Sequence, residues 1–186
     1  MSIQPVRLHG DPVLRSKSEP VTAFDRSLRR LVEDLHDTLD DQRGAGLAAP
    51  QIGVNLRVFV YDLEGRRGHM VNPVVRTIGD QTQDRELEGC LSLPGGLYYR
   101  RVRHLKAVAS GFDVDGRPIE VRGNGFMARC LQHEADHLDG ELFIDGLDPD
   151  TRRAFEADLR RQSWHQAEQT SVPAGRSELG GVFFKR

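Results

Sequence analysis

Apolar residues recur every three or four positions after Asp25, a pattern that predicts an amphipathic helix over residues 26–41 with Asp25 as its N-cap. A final helix, in which arginines alternate with acidic residues, is expected over residues 149–167. The apolar face of the first helix is made of Leu28, Leu31, Val32, Leu35 and Leu39.

Between these helices the apolar runs are shorter and typical of strands. A hairpin turn is expected from Gly65 to Gly68, and Asn72-Pro73 predicts either an edge position or a bulge in the strand that contains it. A second hairpin is expected around residues 113–116. The predicted strands cover residues 56–63, 71–78, 105–114, 119–121 and 142–144.

The composition fits one globular domain. The chain has 186 residues, of which 38% are hydrophobic and 29% charged, and its formal net charge is −2. This balance gives no sign of DNA or membrane binding, and no apolar run approaches the roughly 20 residues needed to cross a bilayer. With no visible signal peptide and only two cysteines, we expect a cytoplasmic protein. Residues 1–168 are expected to form the domain and 169–186 a mobile tail.

The strongest chemical signal lies in a third predicted helix, between Asn124, a candidate N-cap, and Gly140, a residue suited to end a helix. His133 and His137 are four positions apart, so their side chains would share one helix face. Two such imidazoles can bind one metal ion, with Glu134 as a general base. The apolar stripe of this helix contains Phe126, Met127, Cys130, Leu131 and Leu138.

A catalytic metal also needs a third protein ligand. Cys90 lies in a loop bounded by glycine and proline, which favours a ligand or a nucleophile over a buried core residue. A papain-like nucleophile would need its own histidine partner. The simplest interpretation is therefore that Cys90 is a ligand beside His133 and His137. Cys130 is less suitable, because it lies about 7–8 Å along the helix axis from the level of the metal. It is expected to pack beside the site.

Residues 44–53 are rich in glycine and alanine, and Gln51 is their one polar side chain. Small residues allow another chain or a ligand to approach the backbone closely. The alternative is a tight structural turn with an incidental glutamine, and this stretch alone does not decide between them.

Three runs together resemble the signature motifs of the peptide deformylase family. They are Gly-Ala-Gly-Leu-Ala-Ala-Pro-Gln at residues 44–51, Glu-Gly-Cys-Leu-Ser at 88–92 and Gln-His-Glu-Ala-Asp-His at 132–137. Residues 10–15 also fit the start of the family, and the resemblance covers about residues 3–165. It implies an α+β fold in which antiparallel sheets surround a central metal-binding helix, with an N-terminal and a C-terminal helix.

The resemblance also implies a reaction, namely hydrolysis of the N-formyl group from the initiator methionine of nascent polypeptides, with release of formate. The usual metal is Fe(II), and zinc, nickel or cobalt can occupy the same ligands. The implied roles are metal binding by Cys90, His133 and His137; catalysis by Glu134, with Gln51 and the backbone N–H of Leu91 as oxyanion donors; and substrate binding by Gly46, Glu88, Arg129 and Cys130.

One position departs from the pattern. Some relatives have a basic residue seven positions after the motif cysteine, whereas this chain has Leu97 there. Anchoring of the peptide backbone is therefore expected to differ. Three alternatives stay open for Asp136: orienting a ligand, anchoring the helix through an arginine, and simple exposure to solvent. Contact with the ribosome is a further hypothesis, and it rests on four arginines of the final helix: Arg152, Arg153, Arg160 and Arg161.

Two other functions compete with this interpretation. A zinc endopeptidase could use the same helix, but it would need a third histidine or glutamate downstream, and His165 is a poor candidate. An inactive peptide-binding relative would be expected to lack Glu134, Gln51 or a metal ligand, and all of these residues are present.

Overall fold

The computed structural model describes residues 2–167 and 170–172 and has the predicted α+β fold. Within these residues the helices are α1 (Arg26–Gln42), α2 (Phe126–Leu138), α3 (Pro149–Leu159) and α4 (Ser163–Gln166). Three 3-10 turns cover Pro12–Arg15, Ala49–Ile52 and Phe143–Gly146. The strands are β1 (Val6–Arg7), β2 (Gly46–Ala48), β3 (Val58–Leu63), β4 (Arg66–Thr77), β5 (Thr82–Gln83), β6 (Leu87–Glu88), β7 (Tyr99–Arg100), β8 (Arg103–His104), β9 (Lys106–Phe112), β10 (Pro118–Asn124) and β11 (Ser171–Val172).

The main sheet has five antiparallel strands in the order β10-β9-β4-β3-β2, and it lies between the two long helices. The side chains of β3 explain why the sheet lies between these helices. Val58 and Val60 pack with α1, whereas Phe59 and Tyr61 pack with α2, because successive side chains of a strand point to opposite faces. Both faces of β3 are therefore buried, and α2 is held against the sheet. Within the described residues β2 forms one edge of this sheet.

Helix α1 matches its prediction, and the Asp25 carboxylate accepts hydrogen bonds from the backbone N–H groups of Ser27 and Leu28. The N-cap predicted for α2 was wrong. Asn124 is the last residue of β10, and Gly125, with a φ of 56°, is the cap. The chain turns directly from strand to helix there, in a left-handed conformation that glycine adopts without strain. Gly140 follows the end of α2 as predicted.

Both predicted hairpins are present, with one shifted turn. The β3–β4 turn consists of Glu64 and Gly65, not Gly65 to Gly68, and both turn residues have positive φ. Asn72 and Pro73 produce a bulge rather than an edge, since β4 is a central strand whose register with β9 shifts between Val71 and Val74. The Asn72 amide also pairs with both backbone groups of Val21.

Two predictions in the C-terminal part were wrong. Residues 142–144 do not form a strand but enter a 3-10 turn, in which the Asp145 carboxylate accepts from the Leu142 backbone N–H at 2.8 Å. A three-residue apolar run fits several conformations, so local hydrogen bonds decide among them. The final helix is interrupted after Leu159, and α4 then packs the buried Trp164 into a core cluster with Leu159.

The chain beyond the predicted domain boundary is only partly described. Ser171–Val172 pairs with Val6–Arg7, so these residues are held by the fold, whereas residues 173–186 of the predicted mobile tail lie outside the described part. No helix in residues 2–167 and 170–172 is both long enough and apolar enough to cross a membrane.

Candidate metal centre and active site

Three buried side chains, two of them from α2, lie close together. Cys90 lies in the loop after β6, and His133 and His137 are one turn apart on α2. Their donor atoms all lie within 4.8 Å of one another, and the Cys90 Sγ is 3.2 Å from the His137 Nε2. Metal–nitrogen and metal–sulfur bonds of about 2.0–2.3 Å fit a group of this size. The three residues can therefore bind one metal ion.

The protonation states in this group depend on whether a cation is present. Burial, with help from the charges of His133 and Arg103, holds the pKa of His137 well below its usual range. His137 is therefore a neutral imidazole, the form that binds metals. Burial raises the pKa of the Cys90 thiol, so a thiolate there needs a neighbouring positive charge. A divalent ion is such a charge, and the donor set therefore suits one.

Cys130 is also buried, but it does not belong to this group. Its Sγ lies 3.7 Å from the carbonyl oxygen of Ala45 and packs beside Gly46. A Cβ added to Gly46 would come within 2.9 Å of this sulfur and within 2.4 Å of a Glu134 carboxylate oxygen. Glycine at position 46 therefore allows the edge strand β2 to lie directly against the site.

Glu134 points into this region from α2 and is completely buried. Neither of its carboxylate oxygens has a hydrogen-bond partner among the described residues. Burial, and after it the charges of Glu88 and Asp136, raises the pKa of Glu134 well above its usual range. A carboxyl group with a raised pKa and free oxygens is suited to accept and return a proton.

Gln51, in the 3-10 turn after β2, reaches the site from the other side. Its Oε1 accepts from the Ala48 backbone N–H at 2.8 Å, which fixes the amide plane. Its Nε2 lies 3.2 Å from the Ser92 Oγ and 3.5 Å from the Cys90 Sγ. The glycine- and alanine-rich stretch therefore brings an oriented amide N–H close to Cys90. Leu91, the other predicted oxyanion donor, directly follows Cys90 and is buried.

Glu88 contacts His133 and two buried arginines. Its carboxylate lies 2.7 Å from the His133 Nδ1 and accepts from the guanidinium groups of Arg103 at 2.6 Å and Arg129 at 2.9 Å. Burial alone would raise the pKa of Glu88, but the charge of Arg103 and the hydrogen bond with His133 outweigh it and hold this pKa well below the usual range. Glu88 therefore remains ionised and orients the ring of His133.

Sequence reasoning missed Arg103, which completes this network. Its guanidinium joins Glu88 to Asp136 at 2.7 Å, so Asp136 anchors the helix through an arginine. The sequence carries no local signal for this contact, because Arg103 and Asp136 lie on separate elements. Leu97 is buried in the core cluster that also contains Trp164. His165 does not belong to the group of Cys90, His133 and His137, and its ring lies 6.4 Å from that of His9.

Comparisons with known proteins agree with this geometry. Residues 3–153 match the profile of the family described as polypeptide deformylase. A peptide deformylase from Acidothermus cellulolyticus is 54% identical over 164 residues, covering 88% of this chain and 89% of that protein. One from a Parafrankia species is 48% identical over 182 residues, covering 97% and 98%. The crystal structure of peptide deformylase from Thermus thermophilus superposes with a TM-score of 0.81 at 42% identity, covering 90% of this chain and 99% of that one.

Proposed function

This chain belongs to the peptide deformylase family, and from that premise we propose the residues and the metal with which it works. It is a hydrolase that removes the N-formyl group from nascent polypeptides. We propose that Cys90, His133 and His137 bind its metal. The observation that supports this assignment is the buried cysteine and histidine group, with its donor atoms within 4.8 Å, beside a buried glutamate.

We expect Fe(II) as the working metal, with zinc, nickel or cobalt able to occupy the same ligands. A thiolate donates charge to the metal, so a donor set with one cysteine and two histidines does not by itself select zinc. A divalent metal supplies Lewis acidity, which lowers the pKa of water and polarises the formyl oxygen. Glu88 contributes by holding the Nδ1 side of His133, which leaves the Nε2 side of the ring for the metal.

Glu134 is the proposed general base and acid. It takes a proton from the water that adds to the formyl carbon, and it returns the proton to the amine nitrogen as the carbon–nitrogen bond breaks. Formate and a free amino terminus are the products. The addition step places negative charge on the formyl oxygen, and we assign its stabilisation to the Gln51 Nε2 and the backbone N–H of Leu91. Such donors are typically worth about 3–4 kcal/mol each.

The substrate main chain is proposed to pair with the edge of β2 at Gly46, as an added strand. The assignment of Glu88, Arg129 and Cys130 to the methionine pocket stays a prediction. Glu88 and Arg129 would act there by shaping the wall, because their charged groups bind each other at 2.9 Å. Leu97 is only 3% exposed and carries no charge, so other groups must anchor the rest of the peptide.

Formate release from formyl-Met-Ala-Ser by anaerobically purified protein loaded with Fe(II) tests this proposal. We expect Cys90→Ser to lose the metal and with it the activity. Changing groups that merely orient ligands costs about 10–100-fold in metal affinity, so removing a ligand should cost at least that much. Cys130→Ser is the matched control, and it should keep its metal. Metal retention in Cys90→Ser, or no formate from the loaded wild type, would contradict the proposal.

The substrate suggests where the enzyme works. Nascent polypeptides emerge from ribosomes, so we propose a cytoplasmic location and contact with the ribosome through exposed arginines in and just after α3. Arg153 and Arg161 are 71% and 77% exposed, although each pairs with an aspartate one turn away. Arg160 is also exposed. Arg152 is less suitable, because it bonds to the carbonyl oxygen of Ile144 and to Glu156.

Sedimentation with ribosomes tests this contact. The triple variant Arg153→Glu, Arg160→Glu, Arg161→Glu should co-sediment less than the wild type, with a difference that shrinks at high salt. Its activity on the free tripeptide should be unchanged. The matched control makes the same charge change at three exposed arginines elsewhere, Arg76, Arg85 and Arg122. Equal co-sedimentation of both triple variants and the wild type would rule the contact out.

A further inference from the structure

The loop that follows Cys90 is fastened at both ends to the C-terminal helices. At one end, the indole N–H of Trp164 in α4 donates to the carbonyl oxygen of Pro94 at 3.2 Å. At the other end, the Tyr99 hydroxyl donates to the carboxylate of Asp158 in α3 at 2.5 Å. Trp164 is only 3% exposed, so its hydrogen bond is shielded from water. The segment from 94 to 99 therefore depends on α3 and α4 for its position.

The residues between Pro94 and Tyr99 also pack closely against the C-terminal part of the chain. Leu97 packs in the core cluster that also contains Phe155 and Trp164, and the Tyr99 ring meets the Phe155 ring edge-on at 5.6 Å. Gly95 has a φ of 93°, and a Cβ on it would come within 2.0 Å of the Gln162 Oε1. The positive φ favours glycine at this position, and the Gln162 side chain packs directly against it.

Leu93, just before this loop, and Tyr98, within it, contact the backbone around Cys90. The backbone N–H of Leu93 donates to the carbonyl oxygen of Cys90 at 2.9 Å. The Tyr98 ring covers Gly89, where an added Cβ would come within 2.5 Å of the Tyr98 Cε1. A displacement of the 94–99 loop would therefore be transmitted to the backbone on both sides of Cys90, including the N–H of Leu91.

We propose that Trp164 and Asp158 are positioning residues for deformylation. By fixing the 94–99 loop, they hold the sulfur of Cys90 and the backbone N–H of Leu91 in the geometry that metal binding and oxyanion stabilisation need. The inference rests on the proposed function, in which Cys90 is a metal ligand. It gives the C-terminal helices a part in the chemistry, exerted through the loop rather than on the substrate.

Two conservative variants test the inference in the full chain. Trp164→Phe keeps a buried ring and removes the N–H. Tyr99→Phe removes the hydroxyl and keeps the hydrogen bond from Arg161 to Asp158. With cobalt in the site, release of the metal to a chelator and the thiolate-to-cobalt absorption can be followed directly. Each variant should release cobalt up to about tenfold faster, as expected for one lost hydrogen bond. The double variant should release it faster still, with a shifted absorption band and a lower kcat at unchanged KM.

Ala154→Ser, at an exposed position of α3, is the matched control and should change none of these quantities. Denaturant unfolding of every variant separates positioning from stability. A double variant that unfolds more easily but keeps the wild-type release rate and absorption band would overturn the inference. The Cys90→Ser protein separates the two proposals. Should its cobalt band match that of the wild type, Cys90 is not a ligand, and the proposed function falls together with the inference.

Discussion

Replacing Glu134 by glutamine should lower kcat by about 10²–10⁴-fold, the range for loss of general acid–base catalysis. The amide has nearly the same shape as the carboxylate but cannot accept the proton of the attacking water. Metal content should stay at the wild-type level, because Cys90, His133 and His137 are unchanged. The expected signature is therefore a loaded, folded protein that no longer releases formate.

The stability of this variant gives a second check. Both Glu134 oxygens are buried without a hydrogen-bond partner among the described residues, so the native carboxylate is held at a cost to folding. Glu134→Gln should therefore unfold at the same or a higher denaturant concentration than the wild type. Glu141→Gln, at an exposed position just after α2, is the matched control for the change of charge. Activity within threefold of the wild type in Glu134→Gln would exclude the proposed base.

Glu88→Gln is expected to cause the largest loss of stability. The wild-type carboxylate binds the guanidinium groups of Arg103 and Arg129, both buried, and the ring of His133. A neutral amide would leave these guanidinium groups with only the partly exposed carboxylates of Asp136 and Glu86, and removing one partner of a buried ion pair typically costs about 3–5 kcal/mol in the free energy of unfolding. Because a neutral amide oxygen replaces the carboxylate beside the His133 Nδ1, metal affinity should fall by about 10–100-fold.

The effect of Glu88→Gln should depend on pH. Arg103 and His133 hold the pKa of Glu88 below its value in the unfolded chain, so between the two pKa values the unfolded state binds more protons. The stability that the carboxylate contributes is thus fully present above the ordinary glutamate pKa of 4.5 and is lost as the pH falls toward the lowered value. The difference in unfolding free energy between wild type and variant should be largest near neutral pH and should shrink in acid.

Denaturant unfolding at several pH values measures this difference, and metal titration measures the affinity. Glu86→Gln is the matched control, since Glu86 is 47% exposed and lies 3.9 Å from Arg129. Because the Glu86 carboxylate is exposed to solvent and its contact with Arg129 is long, this pair is expected to contribute about 0–1 kcal/mol. A Glu88→Gln protein as stable as Glu86→Gln at neutral pH would show that the buried network does not support the metal site.

Local patterns in the sequence were sufficient for much of the fold. The spacing of the leucines and the cap at Asp25 predicted α1 because helix formation and burial of one face depend on residues three and four apart. The same spacing placed His133 and His137 on one face of α2. The three motifs, taken together, also identified the family that the comparisons show. Each of these conclusions rests on neighbouring residues or on a pattern of residue types.

Only the tertiary structure decided how the site is assembled. Cys90 comes within 3.2 Å of His137 although 47 positions separate them, and Glu88 meets Arg103 and Arg129 from two other elements. The 3-10 turn at Phe143–Gly146 and the break after Leu159 arise in the same way. Short apolar runs and buried charges take whichever partners the packed chain brings to them, because no single partner is specified by neighbouring residues. The proposed ligands could therefore be named from the sequence, whereas the groups that hold them in place could be found only in the fold.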